Sequence, residues 1–327
     1  MKQLQQTGMV AVWILTIGMS FLAICYTMII PFLPVYLLEL GVEREELALW
    51  SGLSFSISFF VAAVMAPVWG RLADKHGKKL MAVRAGLLIG ISYLWGAFVQ
   101  DEYQFLLVRA FQGFANGFMP AAMTMVSLSV PKERVGTAMG IFQMGLVLGN
   151  TVGPLTGGLT ELAVGMRPVF VVAGITLFIV TAAIAIFVKE PQVDSVTPVK
   201  VTSFKADLKA AKKNTILVHI LALYFLVQSV LLMLQPIVAI YVGELKGSME
   251  GAAMLAGSIL SGGGVMGMIM TNVWAAYGQR RGYFRVISYG LLGTGAVLLL
   301  QSLPFGLWWF GALQLLIGVF IVGIFPS

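Results

Sequence analysis

Charge is scarce in this chain. Of its 327 residues 11% are Asp, Glu, Lys or Arg, against 59% hydrophobic, and the mean hydropathy is +0.92. A water-soluble domain carries charge on about a quarter of its residues, so that class is excluded. Cysteine is nearly absent: Cys25 stands alone in an apolar run, so no intramolecular disulfide can form and the residue reads as small core filling. The two histidines, His76 and His219, are too far apart in sequence to suggest a metal centre. No phosphate-binding glycine-lysine loop and no nucleophile with a nearby base is present, so neither an enzyme nor a cofactor is expected. Acidic residues are missing from the middle of every long apolar run.

Those runs are what the chain does have. Ten of them, at 9–38, 47–69, 80–99, 103–128, 135–159, 168–188, 215–241, 251–275, 284–303 and 305–326, reach the roughly 20 residues that cross a bilayer. The sequence therefore predicts an all-α membrane protein. The first run is far longer than a signal-peptide core, with no cleavage-type segment after it, and is expected to stay as a helix. A formal charge of +7 would suit a nucleic-acid binder, but the basic residues lie in the short loops between apolar runs. With the N-terminus inside, seventeen of the twenty-one Lys and Arg fall on the inner side, Arg84 among them, and only Arg44, Arg167 and Lys246 on the outer. That asymmetry predicts a cytoplasmic N-terminus in a multi-pass inner or plasma membrane protein. The expected partners are lipid and a small molecule and not nucleic acid, with the oligomeric state open and a monomer the first expectation.

One polar segment is long. Residues 189–214 hold Pro191, Pro198 and six lysines, and read as a cytoplasmic linker with a short surface helix over 204–213. It divides the chain into 1–188, with six runs, and 215–327, with four. An internal repeat supports the division: adding 205 takes Pro31, Tyr36, Glu39, Leu40, Gly52, Gly77 and Gly113 to Pro236, Tyr241, Glu244, Leu245, Gly257, Gly282 and Gly318.

Between the second and third runs stands GRLADKHGKK, residues 70–79. Gly70 lets a helix end approach a neighbour closely, and Gly77 supplies a turn. Asp74 can accept from a helix end or pair with Arg71, Lys75, Lys78 or Lys79. On charge alone this is an ordinary positive-inside loop. With the carboxylate and both glycines in register, it resembles the signature loop of the major facilitator superfamily of transporters. The resemblance implies two parallel six-helix bundles that rock about a central site, with the loop acting as a conformational latch. In the second copy Gln279 replaces Asp74 and Ala275 replaces Gly70. Ser327 falls at the end of the tenth run, so by that resemblance the second bundle is incomplete, and this chain is expected to insert but to transport poorly.

Two further motifs sharpen the likeness. The fifth run holds Gly145, Gly149, Gly153 and Gly157 at intervals of four, with Pro154 and Gly158 beside them. Such spacing lays the glycines on one face for close helix packing, and Pro154 should bend the helix. The whole stretch resembles the motif of superfamily antiporters, which implies export. Gly257, Ser261, Gly262, Gly263, Gly264 and Gly267 of the eighth run are expected to be the facing surface. In the fourth run, Arg109, Gln112 and Gly113 resemble an element associated in the family with proton coupling; alternatively, Arg109 snorkels outward to Asp101 and Glu102.

By the same resemblance, Tyr26, Pro31, Phe32, Asn116, Met119, Met123, Gln228, Met233 and Gln235 line the central cavity. Each singly is better explained by helix packing, although soft Met and aromatic walls suit varied lipophilic cargo. The function implied is proton-driven export of lipophilic or cationic drugs, with the proton as coupling ion. Export of a small metabolite such as a sugar or amino acid, and a membrane fragment that does not transport, remain as alternatives.

Overall fold

The computed structural model describes residues 2–190, 212–248, 251–303 and 305–324, and among them all regular structure is helical. The helices are α1 (Lys2–Thr27), α2 (Leu33–Glu39), α3 (Leu47–His76), α4 (Lys78–Ala97), α5 (Glu102–Ala115), α6 (Phe118–Leu128), α7 (Val135–Val164), α8 (Met166–Phe187), α9 (Thr215–Lys246), α10 (Ala252–Arg281), α11 (Tyr283–Gln301) and α12 (Leu307–Ile321). Eight stretches are long and apolar enough to cross a membrane, and α12 is a shorter apolar helix. The expected surface helix over 204–213 falls mostly outside the described residues.

Each of the ten expected runs is helical, but two are broken. The first breaks after Thr27 into a 3-10 turn at Ile30–Phe32 and then α2. Pro31 and Pro34 cause this, since neither can donate to the helix and each crowds the preceding turn. The fourth run, expected to be continuous, breaks between α5 and α6. Asn116 is extended and Gly117 has φ +125°, a conformation that a side chain rarely tolerates. Pro120 then falls in the first turn of α6, where its missing N–H is no loss. In the fifth run, α7 continues without interruption through Pro154.

The break in the fourth run frees carbonyls, and two side chains take them up. The Trp69 indole donates to Phe114 O at 2.8 Å, and an Arg84 terminal nitrogen donates to Asn116 O at 2.9 Å. Arg84 also lies flat over the Trp69 ring, its guanidinium carbon 3.5 Å from the centroid. The sequence reading of Arg84 as one more loop charge is thus corrected: it sits in the second turn of α4, holding a helix end.

The internal repeat appears in the packing as well as in the sequence. Trp69 donates to Phe114 O, and 205 residues later Trp274 donates to Val319 O at 2.7 Å. Tyr36 meets Phe105 edge-on at 5.4 Å between centroids, and Tyr241 meets Phe310 edge-on at 5.1 Å. Gly113 lies against Ser58 O, and Gly318 lies against Gly263 O. Gly77 and Gly282 join successive helices with φ of +97° and +91°. Four pairs of equivalent geometry at a single offset are more than a bias toward small residues produces.

Candidate functional site

Around α7 three segments come together so closely that side chains are excluded. A Cβ on Gly145 would lie 2.6 Å from Thr16 Cγ2, and one on Gly149 2.6 Å from Ala23 Cβ. Gly153 faces Thr27, and Gly157 faces Met28. The four-spaced glycines therefore pack on α1, which corrects the expectation that they face the eighth run. The face next to them meets α10 instead. Gly158 abuts Met254, Gly257 abuts Pro154 O, Gly264 abuts Thr151, and the Leu155 amide donates to Ser261 Oγ at 3.1 Å.

The small-residue stripe of the eighth run is also shared between two neighbours. Gly262, Gly263 and Gly267 turn to α12 and the residues after it, near Leu315, Gln314 and Val322. A residue on a helix reaches a direction set by its angle of 100° per position, so a dense glycine run necessarily serves more than one face. Phe32 is wedged at the joint between Gly157 and Gly257 and is fully buried.

At the Gly77 end, Asp74 pairs with Lys78 one turn on. The Asp74 side chain is 76% exposed. Gly70 is open, with no described atom within 4 Å of where its Cβ would be, so the close approach expected there is not made among the described residues. Gly77 takes φ +97°, as its turn requires. Arg71 and Lys75 are exposed, and Lys79 is half-buried.

Glu190, which the sequence reading passed over, completes this end. Its carboxylate accepts from the backbone amides of Lys78 and Lys79, both at 2.7 Å.

Arg109 does not snorkel. It is 3% exposed, donates from Nε to Ser54 O at 3.2 Å, and from a terminal nitrogen to Gln112 Oε1. Its own carbonyl accepts from Ser58 Oγ at 2.7 Å. Phe55 lies under the guanidinium, with 5.5 Å to the ring centroid. Asp101, the proposed outward partner, is occupied instead as the α5 cap, accepting from the Gln104 amide at 2.7 Å. Tyr26 and Tyr93 lie within electrostatic range of Arg109, and Tyr93 also contacts Gln112. A buried cation thus sits among neutral hydroxyls and amides. Ser54, Ser58 and Tyr93 were not singled out in the sequence, though the 3,4 spacing of Ser51, Ser54 and Ser58 on one face of α3 was the available signal.

The expected cavity residues divide. Tyr26, Met119, Met123 and Gln228 are half-buried, Asn116 and Met233 are exposed, and the Gln235 side chain lies outside the described residues. Pro31 and Phe32 are corrected: both are buried in packing, Phe32 in the glycine joint, and neither offers a surface to cargo. His76 and His219 are both exposed, and no group of metal ligands occurs among the described residues.

A family model described as Major Facilitator Superfamily matches residues 15–327. Among curated relatives, a multidrug resistance protein MdtG of Proteus mirabilis (strain HI4320) is 32% identical over 306 residues, covering 92% of this chain and 75% of the relative. A multi-drug resistance efflux pump PmrA homolog of Lactococcus lactis subsp. lactis (strain IL1403) is 30% identical over 311 residues, covering 95% and 76%. Among solved structures, a nucleoside transporter NupG superposes with a TM-score of 0.70 at 17% identity, covering 96% of this chain and 80% of that one. A D-xylose-proton symporter does so with a TM-score of 0.68 at 11% identity, covering 97% and 80%. Those two likenesses concern the fold.

Proposed function

The chain belongs to the Major Facilitator Superfamily, and from that membership we propose that it is an exporter of lipophilic or cationic small molecules, driven by proton antiport and working by alternating access. The observation that carries this reading is the match, over nearly the whole chain, to curated relatives named for multidrug resistance. Residues 1–188 and 215–327 are the two bundles, and the repeated Trp, Tyr and Gly contacts support that division. The N-terminus is cytoplasmic by the charge asymmetry of the loops.

The geometry suits the task. α7 contacts α1 and α10 through glycines set against small side chains and backbone, which brings the helices close together along two adjacent faces. Arg109 keeps a fixed positive charge inside the first bundle, where it sets the electrostatics felt by any proton or cation that enters. No step requires the making of a covalent bond, and none of the groups described is arranged for one.

The reading is tested by reconstituting the chain in liposomes and following a cationic dye under an imposed pH gradient. Dye should move against its own gradient and stop when an ionophore collapses the proton gradient. Movement that ignores the ionophore would remove proton antiport, and failure to move any cationic or lipophilic probe would remove the exporter reading.

A further inference from the structure

Glu190 has no part in the exporter reading so far, yet its placement is determined by the chain on both sides. Val188, just past α8, is fully buried against the cluster that holds Met81, Ala82, Ala85 and Ile184. In the sequence Pro191 follows Glu190, and the residue before a proline is steered to extended backbone. Two residues beyond this fixed Val, the Glu190 side chain reaches the start of α4.

That start needs an acceptor. The residue preceding α4 is Gly77, which has no side chain to cap the helix. The Glu190 carboxylate supplies the cap from more than a hundred positions away: Oε1 accepts from the Lys78 amide and Oε2 from the Lys79 amide. A carboxylate across two successive amides at the positive end of a helix is a favourable arrangement of charge and donors. Gly77 makes room for it, since a Cβ there would stand 3.0–3.2 Å from the carboxylate atoms. Lys78 is held twice, by its backbone to Glu190 and by its ammonium to Asp74.

We propose that Glu190 is the positioning residue of the 70–79 loop. By its carboxylate it ties the residues that follow α8 to the first turn of α4, so that the loop with its Asp74–Lys78 pair and the end of α8 move as one piece. The proposal rests on the transporter reading. Its chemical signature is that both oxygens are used as acceptors. Glutamine has the same shape but a single acceptor oxygen, and it turns N–H groups toward the second amide, so it cannot replace the carboxylate.

The test uses the whole chain in lipid, with Glu190→Gln, Glu190→Ala and Glu190→Asp. Amide hydrogen exchange over 76–80 should quicken about tenfold in the Gln and Ala variants, the loss of a charge-assisted bond, while α7 stays protected. Substrate affinity should hold within about twofold and turnover should fall about tenfold, because what is lost is coupling between segments and not contact with cargo. Glu190→Asp keeps both oxygens one methylene back and should fall between wild type and Ala, which keeps the test decisive if Ala or Gln disturbs the fold. A Gln variant with wild-type exchange and turnover would overturn the proposal, as would faster exchange with unchanged turnover. A wild-type chain that moves no probe would instead count against the exporter reading alone, since the exchange measurement does not depend on transport.

Discussion

Replacing Gly149 by Ala probes one of the close contacts that pack α7 against α1. A Cβ at that position would lie 2.6 Å from the Ala23 Cβ and closer still to Ser20 O, whereas ordinary contacts begin at 3.4 Å. The two helices would have to part by about 1 Å to restore an optimal carbon–carbon separation. Overpacking of this kind costs about 1 to 3 kcal/mol, offset by up to about 1 kcal/mol from the better helix propensity of alanine. Gly140 is the control on the same helix. It is exposed, with no described atom within 4 Å of where its Cβ would be. Ala there should stabilise by about 0.4 to 1 kcal/mol. The two variants should therefore differ by about 2 kcal/mol, or on the order of 5 °C in melting temperature. Thermal melting of the purified protein in one detergent, run on both variants together, measures the gap. Equal shifts at Gly149 and Gly140 would refute the reasoning, because the helix-propensity term is common to both and only the neighbour differs.

Other outcomes follow from the same geometry. Asp74→Asn should abolish efflux while lowering stability by less than about 1 kcal/mol, since the Lys78 pair is surface-exposed; dye efflux normalised to inserted protein checks this, and normal efflux refutes it. Arg109→Lys keeps the charge but loses the Nε bond to Ser54 O and the planar fork, so drug-induced proton movement in vesicles should fall while substrate binding persists; a freely tolerated Lys would refute it. Trp69→Phe and Trp274→Phe each remove one indole donation to a carbonyl and should each cost about 1 kcal/mol in melting experiments, with a silent change at either site breaking the equivalence of the two copies.

The ten apolar runs and the family were legible in the sequence because length and hydropathy act over whole segments, and the glycine motifs and the loop are local. Two kinds of feature were not. Where a helix breaks depends on one or two residues whose effect competes with strong apolar context: Pro31 and Pro34 were visible, yet the run around them was long enough to read as one helix. Asn116-Gly117 broke the fourth run because the freed carbonyls found Trp69 and Arg84, partners on other helices that the sequence does not put beside them. Direction was the second. Period-four glycines announce a flat face, but whether it meets α1 or α10 depends on how the helices are arranged, and α7 uses two adjacent faces for the two. Glu190 stayed hidden for the same reason, because its partners are more than a hundred positions away.

The repeat relation also shows where the two halves differ. Packing contacts are kept at the offset of 205: indole to carbonyl, Tyr to Phe, Gly to the residue at 58 or 263. Charge is not. Asp74 corresponds to Gln279, and Arg109 corresponds to Gln314, which accepts from the Gln301 amide at 2.9 Å instead of holding a cation. Fold and function therefore make separate demands on the two copies. The shared contacts set how each half packs, and none of them involves the side chain at 74 or 109 or its counterpart at 279 or 314. A buried cation such as Arg109 carries a desolvation cost that Gln314 does not, so its retention in one copy needs a use beyond packing. On the antiport reading, that use is the response to a proton or a cationic cargo, and the charge-dependent part of the cycle is concentrated in the first bundle. Carrying the charge across, by Arg109→Gln together with Gln314→Arg, should abolish drug-induced proton movement, because Asp74 and the Glu190 cap remain on the first bundle alone, and should lower stability, because Ile317 stands where Gln112 accepts from Arg109. Proton movement that survives the exchange would show that either half can host the charge, and would remove the argument from asymmetry.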